Sequence, residues 1–184
     1  MRPSGPELVA AFADGVMSQG CDVIEIGLAS TDGLYFASGS LALPGAMFTA
    51  SHNPAQYNGI KLCRAGAAPV GQATGLADIK QMIIDGWQSD YKGPRGTSSK
   101  RNVATEYAAY MRKLVDISNI RPLKVIVDAG NGMGGFTVPI VLEGLPLEVI
   151  PMYFDLDGTF PNHEANPIDP ENLRDLQAAV VKHQ

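Results

Sequence analysis

Apolar residues recur at helical spacing from Ser4 to Gly20, where Leu8, Val9, Phe12, Val16 and Met17 fall on one side of a helix. Ser4, with Glu7 three residues on, has the pattern of a capping box, and Gly20 can end the helix. CDVIEIG predicts a short buried strand, and STDGLYFASGSL a short helix capped by Ser30 or Thr31. GAMFTA predicts a strand that runs straight into the polar stretch SHNPAQY. After an Asn58-Gly59 turn the alternation resumes in a second strand, NGIKLC. Ile60 and Leu62 share one face of it and Lys61 points to the other. Residues 73–87 predict an amphipathic helix with Leu76, Ile79, Ile83 and Trp87 on one face. SDYKGPRGTSSK has no apolar period and reads as a linker, roughly 93–100. Beyond it the pattern predicts a helix carrying Val103, Tyr107, Tyr110, Met111 and Leu114, then a buried strand, LKVIVDA. A glycine-rich turn, a helix to about Glu143, the strand LEVIPMY, a turn-rich segment and a last helix from about Pro170 follow.

Strands alternating with helices predict an α/β fold with helices on both faces of a mixed sheet. The linker divides the chain into two units, 1–95 and 96–184. Both read as incomplete three-layer α/β/α units with mixed sheets. The chain opens on a helix with no strand before it, and it stops at VVKHQ, where a βαβ pattern asks for another strand. No internal repeat or low-complexity tract interrupts the pattern.

With 184 residues, 45% of them hydrophobic, there is material for one large core or two small ones. A net charge of -5 and a pI near 5.1 argue against nucleic acid or an anionic membrane as partner. No apolar run reaches the length of a membrane span, and the first residues lack the apolar core of a signal peptide. Cys21 and Cys63 show no metal spacing. They read as buried free thiols in a reducing compartment rather than a disulfide, which places the protein in the cytoplasm.

The densest chemistry lies in FTASHNPAQYNGIKL, residues 48–62. Pro54 fixes its own φ and keeps Asn53 out of helical geometry, so Ser51 stays on an exposed loop at a strand end. Loops at the carboxyl ends of strands are where open α/β sheets bind ligands. Backbone N–H groups near Ser51 and His52, the Asn53 amide and the Lys61 ammonium together suit a phosphate. Ser51 is not a hydrolase nucleophile, because no G-x-S-x-G elbow surrounds it. In an extended loop Ser51 and His52 point apart, so His52 is poorly placed to take the serine proton directly. The competing reading is an ordinary polar turn beside a solvated lysine.

The run Thr49-Ala50-Ser51-His52-Asn53-Pro54, followed by Asn58-Gly59-Ile60-Lys61, resembles the phosphoserine loop of the α-D-phosphohexomutases, the phosphomannomutase/phosphoglucomutase family. MRPSGPEL resembles that family's segment after its first strand, and VIVDAGNGMGG and DGTFPNHEANP resemble the opening of its second domain. The resemblance implies an isomerase that interconverts hexose 6-phosphate and hexose 1-phosphate through a phosphoserine and a 1,6-bisphosphate intermediate. Carried over by position, Ser51 is the phosphoserine, His52 and Lys61 serve proton transfer and charge stabilisation, and Asn53 binds phosphate. Magnesium binds the phosphoserine oxygen together with aspartates of an Asp-Gly-Asp-Gly-Asp-Arg run, and this chain lacks that run. The family's first strand and the two later domains that grip the sugar and its second phosphate are also missing. The resemblance therefore implies an N-terminal fragment: domain I over 1–95 and the first part of domain II over 96–184, inactive by itself. Mannose, glucose and glucosamine phosphates all stay open as substrates, as do monomer and homodimer for the full-length protein.

Other motifs are weaker. Gly130-Asn131-Gly132-Met133-Gly134-Gly135 is a literal G-x-G-x-x-G between strand and helix, with Asp155 further on. It supports a rival reading, a nucleotide- or anion-binding module without catalysis; the alternative is a structural turn whose glycines let helix and strand approach. Asp155-Leu156-Asp157-Gly158 lacks the third ligand and spaced glutamate of a calcium loop and reads as a turn. His163 reads as structural, Tyr107, Tyr110 and Met111 as core, and Lys100-Arg101 as solvated surface. Arg2 lies near the family's substrate cleft only by loose analogy and is not taken as a site residue.

Overall fold

The computed structural model describes residues 1–117 and 119–183. It is an α/β fold with parallel and antiparallel sheets. The first unit holds helix α1 (Gly5–Ser18), strand β1 (Val23–Glu25), helix α2 (Thr31–Leu41), strands β2 (Gly45–Phe48), β3 (Ile60–Arg64) and β4 (Ala68–Pro69), and helix α3 (Leu76–Ile84). Strand β5 (Ser98–Lys100) and helix α4 (Ala104–Leu114) lead into β6 (Leu123–Asp128), α5 (Gly134–Leu142), β7 (Leu147–Met152) and α6 (Arg174–Lys182). β2, β3 and β4 form an antiparallel sheet, β1 pairs with β5 in parallel, and β6 pairs with β7 in parallel across the α5 crossover.

Each helix start differs in how it is satisfied. Pro6 pre-sets the first turn of α1, but the expected Ser4 cap does not form. The Ser4 hydroxyl instead accepts a bond from Asn58 Nδ2 at 3.0 Å, which ties the helix start to the end of the Ser51 loop. Ser30 does cap α2, accepting from Gly33 N at 3.1 Å. Gly20 ends the α1 turn at φ +77°, as its position foretells.

The presumed linker is partly structured. Gly96 N donates to Met17 O, Thr97 bonds Asp22 through both its backbone and its hydroxyl, and Arg95 pairs with Asp14. A Cβ on Gly96 would sit 2.1 Å from Cys21 O, so only glycine fits there. β5 escapes the pattern because Ser98, Ser99 and Lys100 are all exposed; it is held by its backbone ladder to β1 and by the Ser98 hydroxyl, which donates to Glu25 Oε1 at 2.7 Å.

Burial also departs from expectation. The α1 residues Leu8, Val9 and Phe12 stay 38%, 39% and 38% exposed, although Phe12 meets Phe48 edge to face. The α3 face fares worse: Ile83 is 75% and Trp87 54% exposed, and the helix is shorter than the pattern suggested. On β3 it is Cys63, not Ile60, that turns into the core. Between the units, Phe36 of α2 packs on Tyr107 and Tyr110 of α4; within the second, Arg112 of α4 caps α5 through the Val141 and Ile140 carbonyls.

Both cysteines are free, but only Cys63 is buried, because Cys21 lies in the exposed turn between α1 and β1. Iodoacetamide should therefore alkylate Cys21 in the native protein and reach Cys63 only in denaturant. Equal native rates at both thiols, read by peptide mapping, would contradict this packing.

Candidate functional site

The Ser51 loop joins β2 to the antiparallel β3. Thr49 N donates to Gly59 O at 2.9 Å and Asn58 Oδ1 accepts from Gly59 N at 2.9 Å, so the Asn-Gly turn closes the loop as expected. Within it, both the backbone N and the side-chain Nδ2 of Asn53 donate to Ala50 O, at 3.0 and 2.8 Å. Asn53 thus closes the tip of the loop, and one of its amide hydrogens is already engaged. Pro54 O accepts from Tyr57 N and continues the turn.

Ser51 has φ +52°, a left-handed conformation uncommon for a residue with a side chain. This corrects the extended-loop expectation for its neighbour. Extended backbone would alternate the two side chains, whereas the left-handed turn brings Ser51 Oγ within 3.3 Å of His52 Nδ1. In the Nε2–H tautomer of His52, the serine hydroxyl donates to Nδ1. Both residues are exposed. Lys61 lies opposite Met47 on β3, exposed and without hydrogen bond or ion pair among the described residues. The structure thus joins Ser51 and His52 and leaves Lys61 as a solvated ammonium on the adjoining strand.

Sequence reasoning leaves Arg2 outside the site. It is 4% exposed, and its two terminal nitrogens donate to Pro54 O at 2.7 Å and Ser51 O at 2.6 Å. Its guanidinium lies 5.3 Å from the ring centre of Phe160, a cation–π contact with the second unit. Phe160 is itself left-handed at φ +54°. A cleft of about 210 Å³ opens here between the units, walled by His52, Pro54 and Gln56 on one side and Thr159, Phe160 and Glu164 on the other. A larger apolar hollow, about 400 Å³, lies between Leu28, Tyr107 and Phe136 and contains none of the loop residues. Among the described residues no three His, Cys, Asp or Glu side chains group as a metal site. Among the described residues, no group of carboxylates of the kind a magnesium ion needs is assembled beside Ser51.

The glycine-rich turn is filled by the chain itself. Asn131, buried and left-handed, donates from Nδ2 to Asp155 O, accepts at Oδ1 from Asn162 Nδ2, and bonds Tyr153 and Asp157 through its backbone. A Cβ on Gly135 would lie 2.0 Å from Phe154 O. The 153–163 segment therefore packs where a dinucleotide would have to approach, which favours the structural reading of this turn. Asp157 binds Thr159 N and Oγ1 in a local turn, in keeping with the reading of 155–158.

His163 is held as sequence reasoning supposed, and its contacts define its charge. Nδ1 faces Glu164 O at 2.9 Å and Nε2 faces both Asp128 oxygens at 3.1 Å. Both nitrogens meet acceptors, so both act as donors in the imidazolium form. Burial alone would lower its pKa. The bonds to Glu164 and Asp128, with the charges of Asp128 and Asp175, outweigh that and raise it above the ordinary value. A raised folded pKa gives stability that is complete below about pH 6.5 and lost as pH climbs through the folded value. His163→Gln should therefore cost more thermal stability at pH 6 than at pH 8. A larger deficit at pH 8 would contradict the pairing.

The sequence pattern described as phosphoglucomutase/phosphomannomutase alpha/beta/alpha domain I matches residues 1–87, and that of domain II matches 105–184. A Xanthomonas campestris protein named for phosphohexose mutases is 39% identical over 183 residues, 99% of this chain and 40% of that protein. A Pseudomonas aeruginosa phosphomannomutase/phosphoglucomutase is 38% identical over 97% of this chain and 37% of its own length. The chain thus spans about two fifths of these relatives. A crystal structure of a phosphoglucomutase/phosphomannomutase family protein from Burkholderia thailandensis superposes with TM-score 0.81 at 35% identity, covering 97% of this chain and 39% of that one. With both of its units matched in order and its fold shared, the chain belongs to the phosphoglucomutase/phosphomannomutase family.

Proposed function

We propose that this chain forms the phosphoryl-carrying part of an isomerase that interconverts hexose 6-phosphate and hexose 1-phosphate. The observation that carries this reading is Ser51 itself: exposed, held left-handed at a strand end, with an imidazole nitrogen 3.3 Å from its hydroxyl. Phosphoryl transfer depends mainly on positioning and on neutralising charge, and the loop supplies the first. A hydroxyl of the sugar phosphate attacks phosphorus, the bond from phosphorus to Ser51 Oγ breaks, and a 1,6-bisphosphate results. The sugar proton passes to a base and Ser51 Oγ recovers one. His52 is the nearby group for these transfers, since its Nδ1 already reaches Oγ. The bisphosphate then returns its other phosphate to Ser51, giving the isomer. Lys61 offers a positive charge from β3, and Asn53 keeps the loop closed with one amide hydrogen left for phosphate. Magnesium, when bound, neutralises charge on the phosphoryl oxygens.

Mannose and glucose phosphates are the substrates this reading favours, in a cytoplasmic protein. No described helix is long and apolar enough to cross a membrane. The test is interconversion of hexose 1- and 6-phosphates by the full-length protein, with and without a trace of hexose 1,6-bisphosphate. Stimulation by the bisphosphate is expected, with no turnover by the 184 residues alone. A full-length protein inert towards all these sugars would sink the proposal.

A further inference from the structure

Arg2 is the only charged side chain among the buried residues described. Buried charges are normally paired with an opposite charge. Arg2 has no ion pair among the described residues; its partners are two carbonyl oxygens and the face of Phe160. Burial lowers its pKa from the ordinary arginine value. One of those carbonyls belongs to Ser51, and the other, of Pro54, closes the same loop. An unbalanced positive charge is thus held one backbone group away from the Ser51 side chain. We propose that Arg2 is a positioning residue for Ser51, pinning its left-handed backbone and supplying the buried charge that the phosphorylated state of the loop balances.

This rests on the reading of Ser51 as phosphoryl carrier. A phosphoryl group on Oγ adds close to two negative charges and three acceptor oxygens. In a partly desolvated site such a group is attracted more strongly than in water. Two left-handed residues, Ser51 and Phe160, both contact one guanidinium. The same side chain therefore holds the loop in the first unit against the segment that walls the cleft in the second.

The experiment separates charge from hydrogen bonding. Phosphoserine is encoded at position 51, and Arg2→citrulline is made by ligating a synthetic peptide of residues 1–20 to the chain from Cys21. Citrulline keeps the planar donors to Ser51 and Pro54 but carries no charge. Thermal midpoints are measured with chelator present. Phosphorylation should raise the midpoint of the Arg2 chain by about 3 °C and leave that of the citrulline chain unchanged or lower. An equal rise in both, or no rise in the Arg2 chain, overturns the proposal. Because the phosphate is encoded, this result does not depend on the protein phosphorylating itself. Failure of Ser51 to accept phosphate from a hexose bisphosphate would sink the functional reading separately.

Discussion

Ser51→Ala in the full-length protein should lower kcat for hexose phosphate interconversion by at least about 10⁴-fold, the scale seen when a covalent nucleophile is removed. The substitution should leave the fold alone. Ser51 is exposed, and among the described residues its hydroxyl bonds only His52; Arg2 donates to Ser51 O, Ser51 N donates to Thr49 Oγ1 and Asn53 donates to Ala50 O, so its own Oγ does not set the backbone. Surface changes of this kind stay within about 0.5 kcal/mol. A stable but inactive variant is thus the expected pair of results. His52→Gln should be milder, about 10²- to 10⁴-fold, because a general acid–base contributes that much and water can substitute in part. A Ser51→Ala protein that kept a tenth of its kcat would remove the serine from the chemistry.

Gly135→Ala should destabilise the second unit by about 3 kcal/mol or prevent its folding, at the upper end of what overpacking costs. The added Cβ would lie 2.0 Å from Phe154 O, 2.7 Å from Phe154 C and 2.8 Å from Phe154 Cα. These are backbone atoms just past β7, in the segment whose neighbours bond Asn131, so they cannot swing aside as a side chain could. Gly134→Ala is the control. Its Cβ would come no closer than 3.3 Å, to the methyl of Ala129, and a shift of a few tenths of an ångström relieves that. Urea unfolding of the two variants should separate them clearly. Equal, small losses would mean that the glycine-rich turn does not need its close approach to the 153–163 segment.

The elements were largely legible from periodicity. The α1, α2, β2–β3 and β6–α5–β7 patterns each carry enough apolar residues to be placed by spacing, and Pro54 announces the loop. What escaped depended on contacts distant in sequence. β5 has no apolar residue and exists because β1 offers it a ladder. Ser4 matches a capping box, yet Asn58 competes for its hydroxyl. The shared face of Leu76, Ile79, Ile83 and Trp87 says which side of α3 is apolar, not whether anything covers it, and Ile83 and Trp87 stay exposed.

The site shows the same division. Ser51, His52, Asn53 and Lys61 are visible together because they are local. Their geometry was misjudged on one assumption, an extended backbone at Ser51, and the left-handed residue turned apart into adjacent. The role of Arg2 is not legible in the sequence because its partners lie about fifty and about one hundred and sixty positions away, at Ser51, Pro54 and Phe160. The one available hint was a lone arginine next to Pro3 in a stretch resembling the family. The glycine-rich motif could be decided only by what filled it.

The central claim is that Ser51 carries the phosphoryl group. Incubating the full-length protein with hexose 1,6-bisphosphate and mapping its peptides by mass spectrometry tests this directly. Phosphate on the peptide containing Ser51, approaching one per chain and absent from Ser51→Ala, is the expected result. An enzyme that interconverts the sugars while Ser51 remains unmodified would contradict it.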